Sequence, residues 1–242
     1  MESIITINDK VLTYNGHVLI QPYIPPPPPP TSHLIGWWKL QANLNDELGA
    51  NSLSILTGSA TYAAGHLGNA FDFGSGAENS LYCITTSIFE PCFKAQDTPW
   101  SIAVWLYSYH TDNRGYITTC NGGTRVGSAL ELDPGLDNVG NSINGGGVTI
   151  SGTAFAPNEW HFFVMRYTND ANRPTVFVDN VESTNVTGLY PHFGAGATAY
   201  DRIVLGQSAS GSAEGRIQHL RIYNKIISTT EINTLWNGGV GM

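Results

Sequence analysis

Charged side chains are scarce in this sequence, and no segment concentrates charge of one sign. Lysine, arginine, aspartate and glutamate make up 12% of the 242 residues, and the formal net charge is −8. The 11 lysines and arginines are scattered and form no basic block. Since an acidic chain without a basic patch has little attraction for polyanions, neither nucleic acid nor an anionic membrane is expected as a partner.

Long apolar runs and a secretion signal are also missing. No stretch approaches the ~20 apolar residues that span a bilayer. The N-terminal stretch MESIITINDK has an acid at Glu2, no basic segment and alternation where an apolar core is required. If the protein works outside a cell, an ordinary cleaved signal in this sequence does not take it there.

Cysteine is rare, with three residues at Cys83, Cys92 and Cys120. A disulfide between Cys83 and Cys92 and free buried thiols that act as small hydrophobic side chains both stay open, and the second is favoured. There is no cysteine and histidine cluster with zinc spacing.

Glycine and aromatic residues are abundant, with 27 glycines and 11% aromatic side chains. From Leu34 onward, short runs of alternating polarity lie between clusters of Gly, Asn, Asp and Ser. In SIAVWLYSY, one face carries Ile102, Val104 and Leu106, and the other carries Trp105, Tyr107 and Tyr109. Many such strands without intervening helices predict an all-β fold, a two-sheet antiparallel jelly-roll sandwich.

Residues 1–23 are predicted to form a small β-hairpin. Val11–Tyr14 and His17–Ile20 flank Asn15-Gly16, which readily takes the positive φ angles of a type I′ turn. A piece this short buries too little surface to be stable alone, so it is expected to fold against copies of itself or a host surface. A disordered leader is the alternative.

Six consecutive prolines, Pro25 to Pro30, lie in the linker 24–33 that follows. Polyproline II rises ~3.1 Å per residue, which gives a stiff spacer of about 20 Å. A ligand for a proline-binding domain is less favoured because no basic residue flanks the run. The predicted division is therefore a hairpin anchor at 1–23, a linker at 24–33 and a jelly-roll domain at 34–242.

One short helix is predicted near the C-terminus. Ser228 and Glu231 have the spacing of a capping box, and Gly238-Gly239 provides a stop. Ile232, Leu235 and Trp236 are spaced so that about two turns pack onto the sandwich with Trp236 buried.

Several segments in order resemble the laminin-G-like and pentraxin-like domains of the concanavalin A-like lectin and glucanase superfamily. They are LIGWWKL…NDELGAN, GHLGNAFDFGSG, PWSIAVWLYSY, NEWHFFVMRY, TVFVDN and GRIQHLRIYNKIISTTEINTLWNGG. The resemblance covers roughly 85% of the chain and omits the hairpin and the prolines. It implies the jelly-roll fold, but not one function, because the fold hosts lectins, adhesion domains, glucanases and structural modules.

A glucanase is not expected. Retaining enzymes need two carboxylates about 5–5.5 Å apart, and the resemblance implies a Glu-x-Asp-x-(x)-Glu strand. Glu131 and Asp133 match in part, but Pro134-Gly135-Leu136 follow, so the second glutamate is missing. His161 lies in the family's Trp-His strand and is interpreted as structural. We therefore expect a non-enzymatic protein.

The resemblance also implies a calcium site in a rim loop. Asp112-Asn113 stand where the pentraxin-like pattern has an Asp-Asn ligand pair, but the partner loop after LGQ reads Gln207-Ser-Ala-Ser and lacks acids. One Ca²⁺ at Asp112 and Asn113 and a hydrogen-bonded turn stay open. Asn45-Asp46 and Asn51 are a second candidate, more typical of turn formers.

The best candidate for a ligand surface is an aromatic cluster beside this loop. It consists of Tyr107, Tyr109, His110, Arg114 and Tyr116. Aromatic faces stack on sugar rings and polar groups bind hydroxyls, so a glycan or polysaccharide is the expected ligand. The alternative is core packing, which the resemblance implies for Trp37, Trp100, Trp105, Trp160 and Trp236.

An anchor, a stiff neck and a lectin-like head are together the plan of a display protein. This architecture is similar to that of bacteriophage head-decoration proteins and fibres, so we expect a virion structural protein that presents the jelly roll for glycan or host-surface adhesion. Residues 1–23 would bind the larger assembly, and a homo-oligomer, preferably a trimer, is expected. The alternatives are a bacterial surface or secreted carbohydrate-binding module and a jelly roll that makes only protein contacts.

Overall fold

Alternating short strands dominate the computed structural model, as the sequence pattern predicts. It describes residues 13–14, 17–18, 28–76, 79–84, 98–121, 124–133, 138–143, 146–151, 155–167, 174–183, 186–187, 202–207 and 212–242. No helix in these ranges has the length and apolar character that a membrane span requires.

The strands are numbered in chain order. They are β1 Thr13–Tyr14, β2 His17–Val18, β3 Leu34–Trp38, β4 Ser54–Thr57, β5 Tyr62–Ala64, β6 Asn69–Gly74, β7 Ser80–Ile84, β8 Trp100–Ser108, β9 Arg114–Asn121, β10 Thr124–Asp133, β11 Asn138–Ile143, β12 Gly146–Ser151, β13 Trp160–Tyr167, β14 Pro174–Val178, β15 Val181–Glu182, β16 Val186–Thr187, β17 Arg202–Leu205 and β18 Gly215–Tyr223. Helix α1, Thr229–Trp236, and a 3₁₀ turn, Asn237–Gly239, follow.

Two large antiparallel sheets form the sandwich, which confirms the predicted fold class. The first sheet has the order β16-β12-β11-β10-β9-β17-β7-β4. The second has the order β15-β14-β13-β8-β18-β6-β5, and β3 also pairs with β18. The second sheet carries the candidate site on its outer face.

The main core lies between the two sheets. Alternate residues of β8 point inward, so Ile102, Val104 and Leu106 are each no more than 1% exposed. They pack with Tyr116 and Ile117 of β9, which arrive from the first sheet. The alternation read from the sequence is confirmed.

A second core covers part of the outer face of the second sheet. Helix α1 buries Ile232 and Leu235 against Trp105 and Phe162 of the neighbouring strands. Its capping box is confirmed, because the Ser228 hydroxyl accepts from the Glu231 amide at 3.2 Å. Trp236 is half-buried rather than buried.

The pair Asp179-Asn180 in the sequence predicts that the chain turns toward Val181, and the structure has a turn there, between β14 and β15. Asp179 and Asn180 both have positive φ, 50° and 67°, which is the requirement of a type I′ turn. Asp179 also fixes His161, whose Nδ1 lies 2.6 Å from Oδ2 of that carboxylate. The Nε2 of His161 lies 3.1 Å from the Ala156 carbonyl, so both ring nitrogens are used in structural contacts.

Little of the predicted anchor and neck lies within the described residues. Thr13 pairs with Val18 and Tyr14 with His17, a register that leaves two residues for the loop. At the other end of the linker, the Tyr223 hydroxyl donates to the Pro30 carbonyl at 3.1 Å. The three-part division of the chain stays a prediction.

Cys83 is a free, buried thiol. Burial raises its pKa to about 11, and the charge of Asp46 adds to the increase. The interpretation as a small hydrophobic side chain is thus confirmed for Cys83, while Cys92 and the side chain of Cys120 lie outside the described part of the chain.

The side chains of Glu131 and Asp133 also lie outside the described part of the chain. Strand β10 ends at Asp133, directly before Pro134, as expected.

Candidate functional site: an aromatic row on the outer face

The outer face of the second sheet is only half covered. Ala103 and Trp105 on β8 lie beneath α1, whereas Tyr107 and Tyr109 continue the same face beyond the helix and are partly exposed. On β13, Phe162 lies beneath the helix, and Trp160 packs against this second core while it stays partly exposed. We call Trp160, Tyr107 and Tyr109 the aromatic row.

Strand register sets the geometry of the aromatic row. Trp160 is directly opposite Tyr107, and their ring centroids are 5.6 Å apart with an interplanar angle of 60°. Tyr107 and Tyr109 are 5.5 Å apart at 79°. These edge-to-face contacts hold each ring at a fixed tilt, so the row is a preformed surface.

Arg216 of β18 completes the row on its other side. Its guanidinium lies 5.2 Å from the Tyr107 ring centroid and 5.6 Å from that of Tyr109. Nη1 donates to the Ala64 carbonyl at 2.9 Å, and Nε lies 3.8 Å from Asp72. The arginine is thus held against both rings by a carbonyl and a carboxylate on the neighbouring strands.

Gly215 allows β18 to approach the row this closely. Its φ is 130°, and a Cβ at this position would collide with the carbonyl oxygen of Tyr107. Only glycine fits here, both for conformation and for space.

A cluster of ionisable side chains adjoins the row; it consists of His110, Asp112, Arg114 and Glu214, and we call it the rim cluster. His110 bridges two acids, with Nδ1 3.0 Å from Asp112 and Nε2 2.6 Å from Glu214. Arg114 Nη2 lies 2.9 Å from Asp112 Oδ2. The amide of Tyr109 donates to the Glu214 carbonyl at 3.2 Å, which connects the rim cluster to the aromatic row.

Tyr116 does not belong to this surface. It is 0% exposed in the core between the sheets, and its hydroxyl donates to the Glu214 carbonyl at 2.9 Å. Burial raises the pKa of this phenol above its ordinary value. The expectation that Tyr116 presents its ring to a ligand is therefore corrected, because β9 belongs to the opposite sheet and turns this side chain inward.

Oxygen atoms in both loops proposed for calcium contact other groups of the protein. The oxygens of Asp112 contact His110 and Arg114, two groups that compete with a cation. The Gln207 carbonyl accepts from the Thr118 hydroxyl at 2.5 Å. Within the described ranges, no three His, Cys, Asp or Glu side chains are grouped so that they could hold a metal ion.

Asp46 is a loop-forming residue. Oδ1 accepts from the amides of Trp37 and Leu48 at 3.0 and 3.1 Å, and Oδ2 accepts from that of Asn51 at 3.1 Å. A carboxylate saturated by backbone donors organises a turn, which agrees with the interpretation of these residues as turn formers.

Comparison with known families identifies the fold family. A laminin-G-type model of the concanavalin A-like lectin/glucanases superfamily matches residues 84–233. The chain belongs to this superfamily. A comparison with curated proteins found no match.

Solved structures share the fold at low sequence identity. Domain 4 of an extracellular arabinanase from Geobacillus stearothermophilus, in complex with arabinotriose, has 15% identity and a TM-score of 0.63, with 86% of this chain and 98% of that domain covered. A structure of botulinum neurotoxin type C, described as dependent on two ganglioside molecules for cell entry, has 11% identity, a TM-score of 0.64 and coverages of 87% and 52%.

The sialidase of Trypanosoma rangeli also contains this fold, at 14% identity and a TM-score of 0.62. The match covers 92% of this chain and 36% of the sialidase. The chain spans about half of the neurotoxin structure, at 52%, and about a third of the sialidase. At these identities the likeness establishes the fold alone.

Sequence reasoning did not assign two members to the site. The interpretation of Trp160 as a packing residue is confirmed by its contact with the second core, but Trp160 is also partly exposed, and Arg216 was not singled out. The alternation in NEWHFFVMRY carries the signal for Trp160, because it places Trp160 on the face of Phe162 and Val164. No sequence signal shows that this tryptophan stays partly exposed.

Proposed function

We propose that the jelly roll binds carbohydrate through the aromatic row, without catalysis. The observation that carries this proposal is the partly exposed set of Trp160, Tyr107 and Tyr109, which contact one another edge to face, with Arg216 against the two tyrosines. Aromatic side chains left at the surface of a sheet are costly to hydrate and mark ligand sites more often than single scattered apolar residues do.

The chemistry of the row fits a sugar. A pyranose or furanose has apolar C–H faces that stack on an aromatic ring and hydroxyls that need donors and acceptors. Arg216 and Asp72 supply both beside the rings, and the rim cluster supplies Asp112 with its side chain 58% exposed. The arabinotriose bound to the arabinanase domain supports this proposal by analogy of fold.

The test is calorimetric titration of the full chain with a panel of soluble polysaccharides and oligosaccharides. Tyr107→Ala and Trp160→Ala should each weaken binding about tenfold, since ring stacking of ~1–1.5 kcal/mol is lost. The matched control is Tyr82→Ala, because Tyr82 is a partly exposed tyrosine beside Arg202 on the other sheet, 5.8 Å from ring centroid to guanidinium.

Tyr82→Ala should bind like the unaltered protein. Equal losses in all three variants would indicate a general destabilisation and count against the row. No saturable binding to any member of a broad panel would refute the proposal.

We further propose that the molecule is a display protein of a virion, with residues 1–23 docking into the larger assembly; a bacterial surface or secreted module is the alternative. The pairing of Thr13 with Val18 supports a hairpin in this segment. A fusion of residues 1–33 to a monomeric carrier should form trimers or bind purified particles. A fusion that stays monomeric and binds none would exclude this role.

Calcium binding at Asp112 and Asn113 stays a prediction, and it requires a rearrangement of the rim cluster. The ion must displace the guanidinium of Arg114, which lies 2.9 Å from Asp112. Arg114→Gln should therefore bind CaCl₂ more tightly than the unaltered chain in calorimetric titration, and Asp112→Ala should abolish the heat. Identical heats in all three proteins would rule out this site.

A further inference from the structure

The charges that surround the aromatic row are unbalanced. Among the described residues, three carboxylates and two guanidiniums lie on the row and its rim cluster: Asp72, Asp112, Glu214, Arg114 and Arg216. Apart from His110, the negative groups outnumber the positive ones.

Both guanidiniums already have partners. Arg216 contacts Asp72 and donates to the Ala64 carbonyl, and its side chain is 24% exposed. Arg114 pairs with Asp112, with its side chain 22% exposed. An anionic group on a ligand would have to share these guanidiniums with Asp72 or Asp112 and lie close to their negative charge.

Asp112 is the most accessible of these charged groups, whereas Asp72 and Glu214, at 21% and 17% exposed, are no more accessible than the arginines. The Asp112 side chain is 58% exposed, more than twice the exposed fraction of either arginine. Carboxylate oxygens accept hydrogen bonds from hydroxyl groups and repel other carboxylates. The geometry beside the row is thus suited to a polyhydroxyl ligand and unsuited to an acidic one.

We propose that the aromatic row selects uncharged saccharides over acidic ones, with Asp112 accepting hydrogen bonds from ring hydroxyls. This inference rests on the proposed carbohydrate-binding function. It excludes sialylated and uronic acid glycans as preferred ligands, and assigns Asp112 a direct contact with the saccharide.

The experiment uses pairs of sugars that differ by a carboxylate-bearing group. Lactose is compared with 3′-sialyllactose, and cellohexaose with its C6-oxidised form, by titration of the full chain at low and high salt. The neutral member should bind at least tenfold more tightly at low salt, and the ratio should fall at high salt because exposed charges are screened.

Asp112→Asn should lower affinity for the neutral member and raise it for the acidic one. The matched control is Glu182→Gln, because Glu182 is 50% exposed and 3.8 Å from Arg166 but lies on β15, away from the row. The control should leave both affinities unchanged.

The possible failures are distinguishable. Tighter binding of the acidic member, or a ratio that Asp112→Asn leaves unchanged, overturns the selectivity while carbohydrate binding stands. No binding of any sugar in these pairs or the wider panel overturns the proposed function and this inference with it.

Discussion

The covered and open halves of one sheet face are built from the same kinds of residue and have different environments. Trp105 is 1% exposed beneath α1 and stacks on Trp236 at 5.4 Å. Two residues further along β8, Tyr107 has the same orientation but is partly exposed. The difference is the cover that α1 gives to Trp105, because Tyr107 does not belong to the core that the helix closes.

The boundary between the halves is marked by His66. Its ring stacks on Trp105 with a centroid distance of 3.8 Å and lies 6.4 Å from the ring centroid of Trp160. Its Nε2 lies 2.7 Å from the Gly239 carbonyl, so the segment after the helix holds it in place. Covered and open aromatic rings therefore form one connected series. Coverage by α1 and the segment after it, rather than residue type, separates the core from the candidate site.

The sharpest test of this comparison is a pair of substitutions on β13. Phe162→Ala removes a ring that is 0% exposed, and should cost about 3–5 kcal/mol of unfolding free energy. Trp160→Ala removes a partly exposed ring and should cost about 1–2 kcal/mol, while weakening sugar binding. Urea denaturation measures the unfolding free energy of both variants, and calorimetric titration measures their sugar binding.

The comparison fails if the two substitutions have equal effects on stability. Such a result would mean that Trp160 is as much part of the core as Phe162. A Trp160→Phe variant, which keeps an aromatic face, should recover most of the binding and serves as the conservative control.

A smaller effect on stability is expected when helix α1 loses its N-cap. Ser228→Ala removes the hydroxyl that caps α1 and should lower stability by about 1 kcal/mol. Binding by the aromatic row should be unchanged because no row residue contacts the cap. Ser228→Asp, which keeps an acceptor at the N-cap, should retain most of the stability; a loss equal to that of alanine would contradict the capping role.

The smallest effect on stability concerns His161 of β13, which faces the inner core. Burial is the largest single influence and lowers its pKa. The hydrogen bond to Asp179, the charge of that carboxylate, the Ala156 carbonyl and the charge of Glu159 together raise it by more, so the net pKa stands above the ordinary value. The protonated ring thus stabilises the fold fully below the unfolded pKa of about 6.5, and this contribution is lost as pH rises through the higher folded pKa.

Urea midpoints measured from mildly acidic to alkaline pH check the sign. The stability difference between the unaltered protein and His161→Gln should shrink as pH rises. The control is His33→Asn, because His33 is exposed and should show no such trend. A difference that grows with pH would show that the neutral ring is the stabilising form.

The sequence allowed the fold to be predicted because local rules and tertiary packing agree there. The alternation in β8, the Asp179-Asn180 turn and the Ser228 cap each depend on neighbours in the chain, and each is confirmed. The site was predicted only in part. Tyr107 and Tyr109 were found by their position beside a loop, whereas Arg216 lies more than 100 residues away and reaches them only through strand pairing.

By itself, the sequence determined which residues share a strand face, where the chain turns and where its one predicted helix begins, because these follow from backbone conformation and side-chain periodicity. Only the tertiary structure decided which aromatic rings are core and which are surface. Tyr116 went to the interior and Trp160 to the open half because burial depends on what another part of the chain covers, and sheet order and helix length together set that cover.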